Sequence, residues 1–351
     1  MTSPLPPHHA AWLDALLGGQ PPEERLATCS DCAMCPAAGA APVTGLATYD
    51  PAIKCCTYLP ELANFLVGRA LRDEDPAAAE GRATLEARID AGVAVTPLGL
   101  SRPRGYEVLY KNQAPSDFGR TNSFRCPHYL ADGRCGVWRH RESTCATWYC
   151  KHERGKTGAL YWRALHRLLQ ATERALAQHC LLELDPGSRA LELCLTAPQA
   201  EGLDGVHSPE ARAALWGRWA GRERDFYREC ARLVDGLSWE QVLALGGPEL
   251  RALARLAREA HARLSQDELP QRLRVGSFQV AAVGPRTTRV VSYSPIDPIE
   301  LPAALMAVLP WFDGRPTQEA VESIARERKL GLTPALIQRL VDFQVLVDAG
   351  E

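Results

Sequence analysis

Apolar positions keep helical spacing for long stretches only in the middle of the chain. Tyr161, Leu165, Leu168, Leu169, Thr172 and Leu176 recur at three- and four-residue intervals, and Trp216, Trp219, Phe226, Tyr227, Cys230 and Leu233 make a second stripe. Stripes of this kind are read as bundle core rather than as an aromatic binding surface. Ser238 and Gln241 fit a capping box, and Gly247-Pro248 opens a further helix with proline at its first position. Residues 157–265 are therefore expected to be helical. Shorter helices are expected over 61–72, with Leu62, Phe65, Leu66 and Leu71 on one side, and over 77–91, with Leu85 and Ile89 four apart. Residues 1–28 read as a mobile lead-in with one short helix around Trp12, Leu13, Leu16 and Leu17; His8 and His9 fall in the part read as a disordered tail. Beyond a linker at 266–270, β-like stretches at 274–283 and 288–293 meet across Gly284-Pro285. A helix near 301–312, a turn at Asp313-Gly314, a helix over 317–328 and a third helix capped by Thr333 and begun by Pro334 follow. The last of these ends in the apolar run Val345-Leu346-Val347. The expected fold class is mainly α with a small β component. It comprises a cysteine-rich metal-binding region at 29–156, a helical middle and a winged-helix-like (ββααα) domain at 268–351.

Composition narrows the setting. With 351 residues and 46% hydrophobic content the chain can bury a core, and its length suits two or three domains. The formal net charge of −2 supplies no global basic field for nucleic acid. No run of eighteen apolar residues would span a membrane, and the amino terminus lacks the basic and apolar regions of a secretory signal. The expected home is the reducing cytosol, where clustered cysteines serve as ligands more often than as disulfides.

Nine of the twelve cysteines lie between positions 29 and 150: Cys29, Cys32 and Cys35 at two-residue gaps, the pair Cys55-Cys56, then Cys126, Cys135, Cys145 and Cys150. Thiolates bind zinc and iron–sulfur clusters, and two-residue gaps let successive thiolates converge without a long loop to close. All nine are candidate metal ligands. Cys55 and Cys56 are adjacent, so their side chains do not readily serve one site. Asp132-Gly133 is a turn signal that would bring Cys126 and Cys135 together. From 120 to 156 there are eight Lys/Arg against three Asp/Glu, an excess suited to offsetting thiolate charge. Trp138, Trp148 and Tyr149 are available to exclude water. His128, His140 and His152 lie in the same stretch and are read as supporting groups, since nine thiols already fill two four-ligand sites with one to spare. Cys180, Cys194 and Cys230 sit among apolar residues and read as small buried hydrophobes.

These residues carry a resemblance. The Cys29-x2-Cys32-x2-Cys35 run with a Cys-Cys pair, and the stretch from Cys126-Pro127 through Gly133, Cys135, Val137-Trp138 and Arg141 to Cys145, resemble the two signatures of the YkgJ-like cysteine-cluster family. That family is described as zinc- or iron-chelating. Here the double cysteine stands twenty residues after Cys35 rather than closing the first run, and Glu142 stands where a proline commonly follows the family's arginine. The family includes flagellin lysine methylases, which implies an iron–sulfur cluster and S-adenosylmethionine for some members. No glycine-rich nucleotide fingerprint stands in this sequence. The last eighty residues are similar to PqqD-like peptide-recognition domains through Leu305, Leu309, Phe312-Asp313-Gly314-Arg315-Pro316-Thr317, Ile324 and Leu340. That resemblance implies capture of a peptide as an added strand. A nucleic-acid role is disfavoured there, because Glu319, Glu322 and Glu327 offset Arg326, Arg328 and Lys329.

Three expectations follow. The first is a cytosolic iron–sulfur protein, its cofactor a [4Fe–4S] cluster, modifying a peptide or protein substrate held by the carboxy-terminal domain. The second is a non-catalytic zinc (Zn2+) protein with the metal as staple. The third is a metal or redox sensor with Cys55 or Cys56 as its responsive thiol. No catalytic residue is assigned.

Overall fold

Helices and short antiparallel sheets divide the chain into two units in this computed structural model, which describes residues 5–350 except 20, 26–27, 30–31, 37–47, 196–201 and 267. The first unit comprises Met1–Pro22, Tyr49–Trp148 and Ala164–Ala257; the second comprises Glu23–Thr48, Tyr149–Arg163 and Arg258–Glu351. The cysteine region, continuous in sequence from 29 to 156, is thus shared between them.

In the first unit, helix α1 (Pro7–Leu17) begins with proline at its first position and ends at Gly18, whose left-handed conformation lets its N–H bond the Asp14 carbonyl. Strand β1 (Leu62–Ala63) leads into α2 (Asn64–Arg72); α3 (Ala79–Ala91) precedes β2 (Val95–Thr96) and β3 (Gly99–Leu100); α4 (Arg104–Asp117) and α5 (Ser143–Thr147) follow. The three short strands form one antiparallel sheet in the order β1-β3-β2. Then come α6 (Gly155–Leu184), whose first turns belong to the second unit, α7 (Ser188–Leu195), α8 (Pro209–Trp216), α9 (Glu223–Asp235) and α10 (Trp239–Leu264). Within α10 the helix breaks at Gly247 and restarts at Pro248, as the sequence predicts. The capping box is also present: the Gln241 N–H donates to Ser238 Oγ, and the Ser238 N–H to Gln241 Oε1.

Both predicted stripes are core. Every member of the first is fully buried, as are Trp216, Phe226, Tyr227 and Cys230 of the second, while Trp219 and Leu233 are half-buried. Helix α2 packs along α9, and buried Asn64 ties it down by donating from Nδ2 to the carbonyls of Pro97 and Ala177. One reading is corrected. His8 and His9 are no tail: both are buried on α1, each one helical turn before the buried Trp12 and Leu13.

The second unit carries β4 (Arg272–Val275), β5 (Gln279–Val283), β6 (Thr287–Val291), β7 (Ile299–Pro302), α11 (Ala303–Val308), β8 (Asp313–Pro316), α12 (Thr317–Arg328), α13 (Pro334–Asp342) and β9 (Leu346–Asp348). Two three-stranded antiparallel sheets result, β8-β4-β9 and β5-β6-β7, with Leu273, Val290, Phe312, Ile324 and Leu340 in the core. The single stretch expected at 274–283 is two strands in different sheets. The turn expected at Asp313-Gly314 opens β8, and the terminal apolar run feeds β9. Residues 149–163 belong here because Arg154 forks onto Asp342, Lys151 Nζ donates to the Ile296 carbonyl, and the His152 N–H donates to Asp297.

The fold is mainly helical with small antiparallel sheets. Among the described residues no helix is long and apolar enough to cross a membrane.

Candidate metal centre

Helix α3 is the platform for the Cys126–Cys135 segment. Gly133 takes φ 82° and closes a turn in which the Leu130 N–H donates to the Arg134 carbonyl and the Gly133 N–H to the Leu130 carbonyl. Tyr129 bridges to Cys135, and the Gly136 N–H donates to the His128 carbonyl at 2.7 Å. This is the turn read from Asp132-Gly133. It docks through glycine on both sides: a Cβ on Gly81 would lie 1.7 Å from the Gly136 carbonyl oxygen. From the same helix Thr84 Oγ1 reaches His128 Nδ1 at 2.8 Å, and Arg88 puts positive charge near Cys126.

Two further segments join this one. The Cys126 N–H donates to the Cys56 carbonyl at 2.7 Å. Tyr58, two residues after Cys56, donates from its hydroxyl to Thr144 Oγ1, next to Cys145. Helix α4, which carries no buried stripe and is absent from the sequence reading, holds the connecting strand: the Tyr106 hydroxyl accepts from the Leu59 N–H and donates to the Thr57 carbonyl. Glu142 caps α5 by accepting the Thr144 and Cys145 N–H groups. Glu142, which follows Arg141, is thus the residue that starts this helix. Arg141 Nε donates to the Cys145 carbonyl, and its guanidinium stacks 3.6 Å from the Trp138 ring.

Burial raises the Cys126 thiol to about 12, against N–H donation from His128 and Tyr129 and the charge of Arg88. Dense protein around Cys145, then Glu142, Cys126 and Cys135, hold its thiol well above the ordinary value. Yet Cys145 is an exposed residue rather than part of the sealed core. Thiols that raise one another in this way become thiolates together only beside a cation, which is the condition for binding a metal. Cys55 donates to or accepts from Cys56, and that bond, then burial, raises its thiol well above 9.0. A responsive redox thiol needs the reverse.

The structure therefore links the stretches that carry Cys56, Cys126, Cys135 and Cys145, with Cys55 beside Cys56, but among the described residues no three of these thiols lie within 4.8 Å of one another. Cys29, Cys32, Cys35 and Cys150 lie in the second unit. There Glu24 accepts the Glu153 N–H and the Trp162 indole N–H, which places the chain before Cys29 beside the chain after Cys150. The three nearby histidines have other partners: His128 meets Thr84, His140 Nε2 lies 2.7 Å from Asp73 Oδ2, and His152 Nδ1 lies 3.3 Å from the Tyr293 hydroxyl. The local arginine excess is also engaged, with Arg139 on Asp75 and Arg134 on Asp132. Arg88 is the cation that acts on Cys126. Trp138 and Trp148 are 44% and 56% exposed, so they do not wall the thiols off.

No family model, curated protein or solved structure matches this chain.

Outside the cluster, Cys230 is fully buried on α9, and Cys180 donates to its carbonyl. Cys230→Ser should cost an ordinary ~1–3 kcal/mol of core stability and leave the metal content unchanged. Metal analysis of the purified variant checks this, and emptying as complete as that of a Cys145 variant would overturn the division of the thiols.

The raised Cys126 pKa sets a pH dependence for metal-free protein. The folded chain keeps this thiol protonated up to about 12, whereas the unfolded chain releases the proton near 9.0. Stability is therefore intact below pH 9 and falls as pH rises towards 12, by up to about 1.4 kcal/mol per unit. Thermal unfolding at pH 8 and pH 10 should show a larger drop for metal-free wild type than for Cys126→Ala; equal drops would contradict it.

Proposed function

We propose that this chain is an iron–sulfur protein of a reducing compartment that acts on a peptide or protein substrate, the cluster being held by thiols of the first unit and the substrate by the second. The observation that carries the first half is the linkage of three separate stretches of chain, those bearing Cys56, Cys126 with Cys135, and Cys145. Sulfur is the common donor, and Arg88 offsets negative charge at Cys126. Hydrogen bonds to the sulfurs and local charge are the means by which proteins tune such clusters. When bound, a [4Fe–4S] cluster would supply electron transfer or an open iron. The chain's own part is to position the thiols of the Cys126–Cys135 turn docked on α3, of α5 and of the 55–59 segment, and to leave Cys145 exposed.

The substrate half rests on β5. It is an edge strand with all five residues exposed, Val280 at 52% and Val283 at 77%. An apolar, unpaired strand edge can accept an extended peptide as a further strand. The full-length double variant V280K/V283K should keep its metal and recover less peptide or protein partner than wild type. Equal recovery would sink this half and leave the metal centre standing.

A zinc reading has one observation in its favour. His128 is fully buried two residues after Cys126, and its Nε2 has no partner among the described residues. A Cys3His set is a zinc set. Anaerobic visible spectra separate the two: broad absorption that disappears in Cys145→Ser favours the cluster, and a colourless protein with stoichiometric zinc favours this alternative.

A further inference from the structure

We propose that His8, His9 and Glu173 form a second metal site, separate from the thiols, for one divalent first-row transition-metal ion of the Fe2+, Co2+ or Zn2+ kind. The three offer ligand atoms that all lie within 4.8 Å of one another. His9 Nε2 is 2.9 Å from Glu173 Oε1. All three residues are buried, at 8%, 0% and 7% exposure. His8 Nε2 and His9 Nδ1 have no hydrogen-bond partner among the described residues, although buried imidazole nitrogens almost always find one. Two imidazoles and a carboxylate are the N2O donor set of zinc and of non-haem iron sites.

The surroundings fit an ion better than a bare triad. Among the described residues no lysine or arginine pairs with Glu173; its second oxygen accepts from Ser143 Oγ at 2.8 Å. Arg69 and Arg141 add positive field at His8 but are committed elsewhere, Arg69 to Asp235 and Arg141 to the carbonyls of Trp138 and Cys145. Glu142 faces the same pocket and opposes them. Trp12 and Phe65 pack on the His8 ring and keep it dry. Ser143 links the triad to the Glu142 cap three residues before Cys145, so an ion here would pin α1 to α6 and brace α5.

Co2+ titration of anaerobically purified full-length protein tests this. Wild type is expected to take up one equivalent with weak visible bands of nitrogen and oxygen ligation and no thiolate-to-cobalt charge transfer. His8→Gln and Glu173→Gln should lose that equivalent, with circular dichroism and the thiol-site metal unchanged. Uptake by both variants equal to wild type would overturn the site. If a variant fails to fold, wild type alone decides: thiolate-type spectra only, or no uptake, refutes the proposal. Because the readout excludes sulfur ligation, it stands or falls separately from the cluster.

Discussion

Cys145→Ser is expected to lose at least nine-tenths of its metal and most of its solubility. Cys145 sits at the head of α5, where Glu142 caps its N–H and Arg141 holds its carbonyl, so its sulfur is fixed relative to Cys126 and Cys135. Serine keeps the cap but offers a hard, protonated oxygen in place of a thiolate. Altering groups that merely orient a ligand already lowers metal affinity about 10–100-fold, and removing the ligand itself should do more. Metal binding is folding energy in such a region, and structural zinc sites reach roughly 10–16 kcal/mol. Even part of that matches the whole net stability of a domain, about 5–15 kcal/mol. Metal per chain and the soluble fraction after expression are the readouts. A soluble variant with full metal would remove Cys145 from the site.

Gly81→Ala should be nearly as damaging, although no thiol is touched. The added methyl would lie 1.7 Å from the Gly136 oxygen, 2.4 Å from its carbonyl carbon and 2.7 Å from its Cα. All three are backbone atoms, so no side chain can swing aside. Helix α3 and the Cys126–Cys135 turn must part, and Cys135 moves with Gly136. Overpacking ordinarily costs about 1–3 kcal/mol. A backbone-to-backbone clash belongs at the top of that range, a fall in Tm of roughly 6–12 °C. Gly331→Ala is the control, since a Cβ there meets nothing within 4 Å. If Gly81→Ala matches the control in Tm and metal content, the docking of this turn on α3 is not what places Cys135.

Long periodic elements were legible because their spacing reports one buried face, as in α6 and α9. Helix α4 was not: Val108 and Leu109 are exposed, and its buried work is done by the tyrosine hydroxyls of Tyr106 and the ring stack with Tyr110. Two-residue strands such as β1 are too short to show alternation. His8 and His9 were hidden by the prolines around them, yet Pro7 at the first helical position and the i+4 pairs His8–Trp12 and His9–Leu13 carried the signal. The crowding of nine cysteines between positions 29 and 150 was plain in the sequence. Their division between two units was not, because it depends on distant bonds such as Trp162 to Glu24 and Tyr58 to Thr144, which spacing alone does not encode.

The most direct test of the central claim is quantitative iron, zinc and acid-labile sulfide analysis of wild-type protein purified without oxygen or chelator. An iron–sulfur centre on the first unit's thiols predicts iron and sulfide in equal amounts, about four of each per cluster, both absent from Cys145→Ser. Zinc alone, with neither iron nor sulfide, would contradict it.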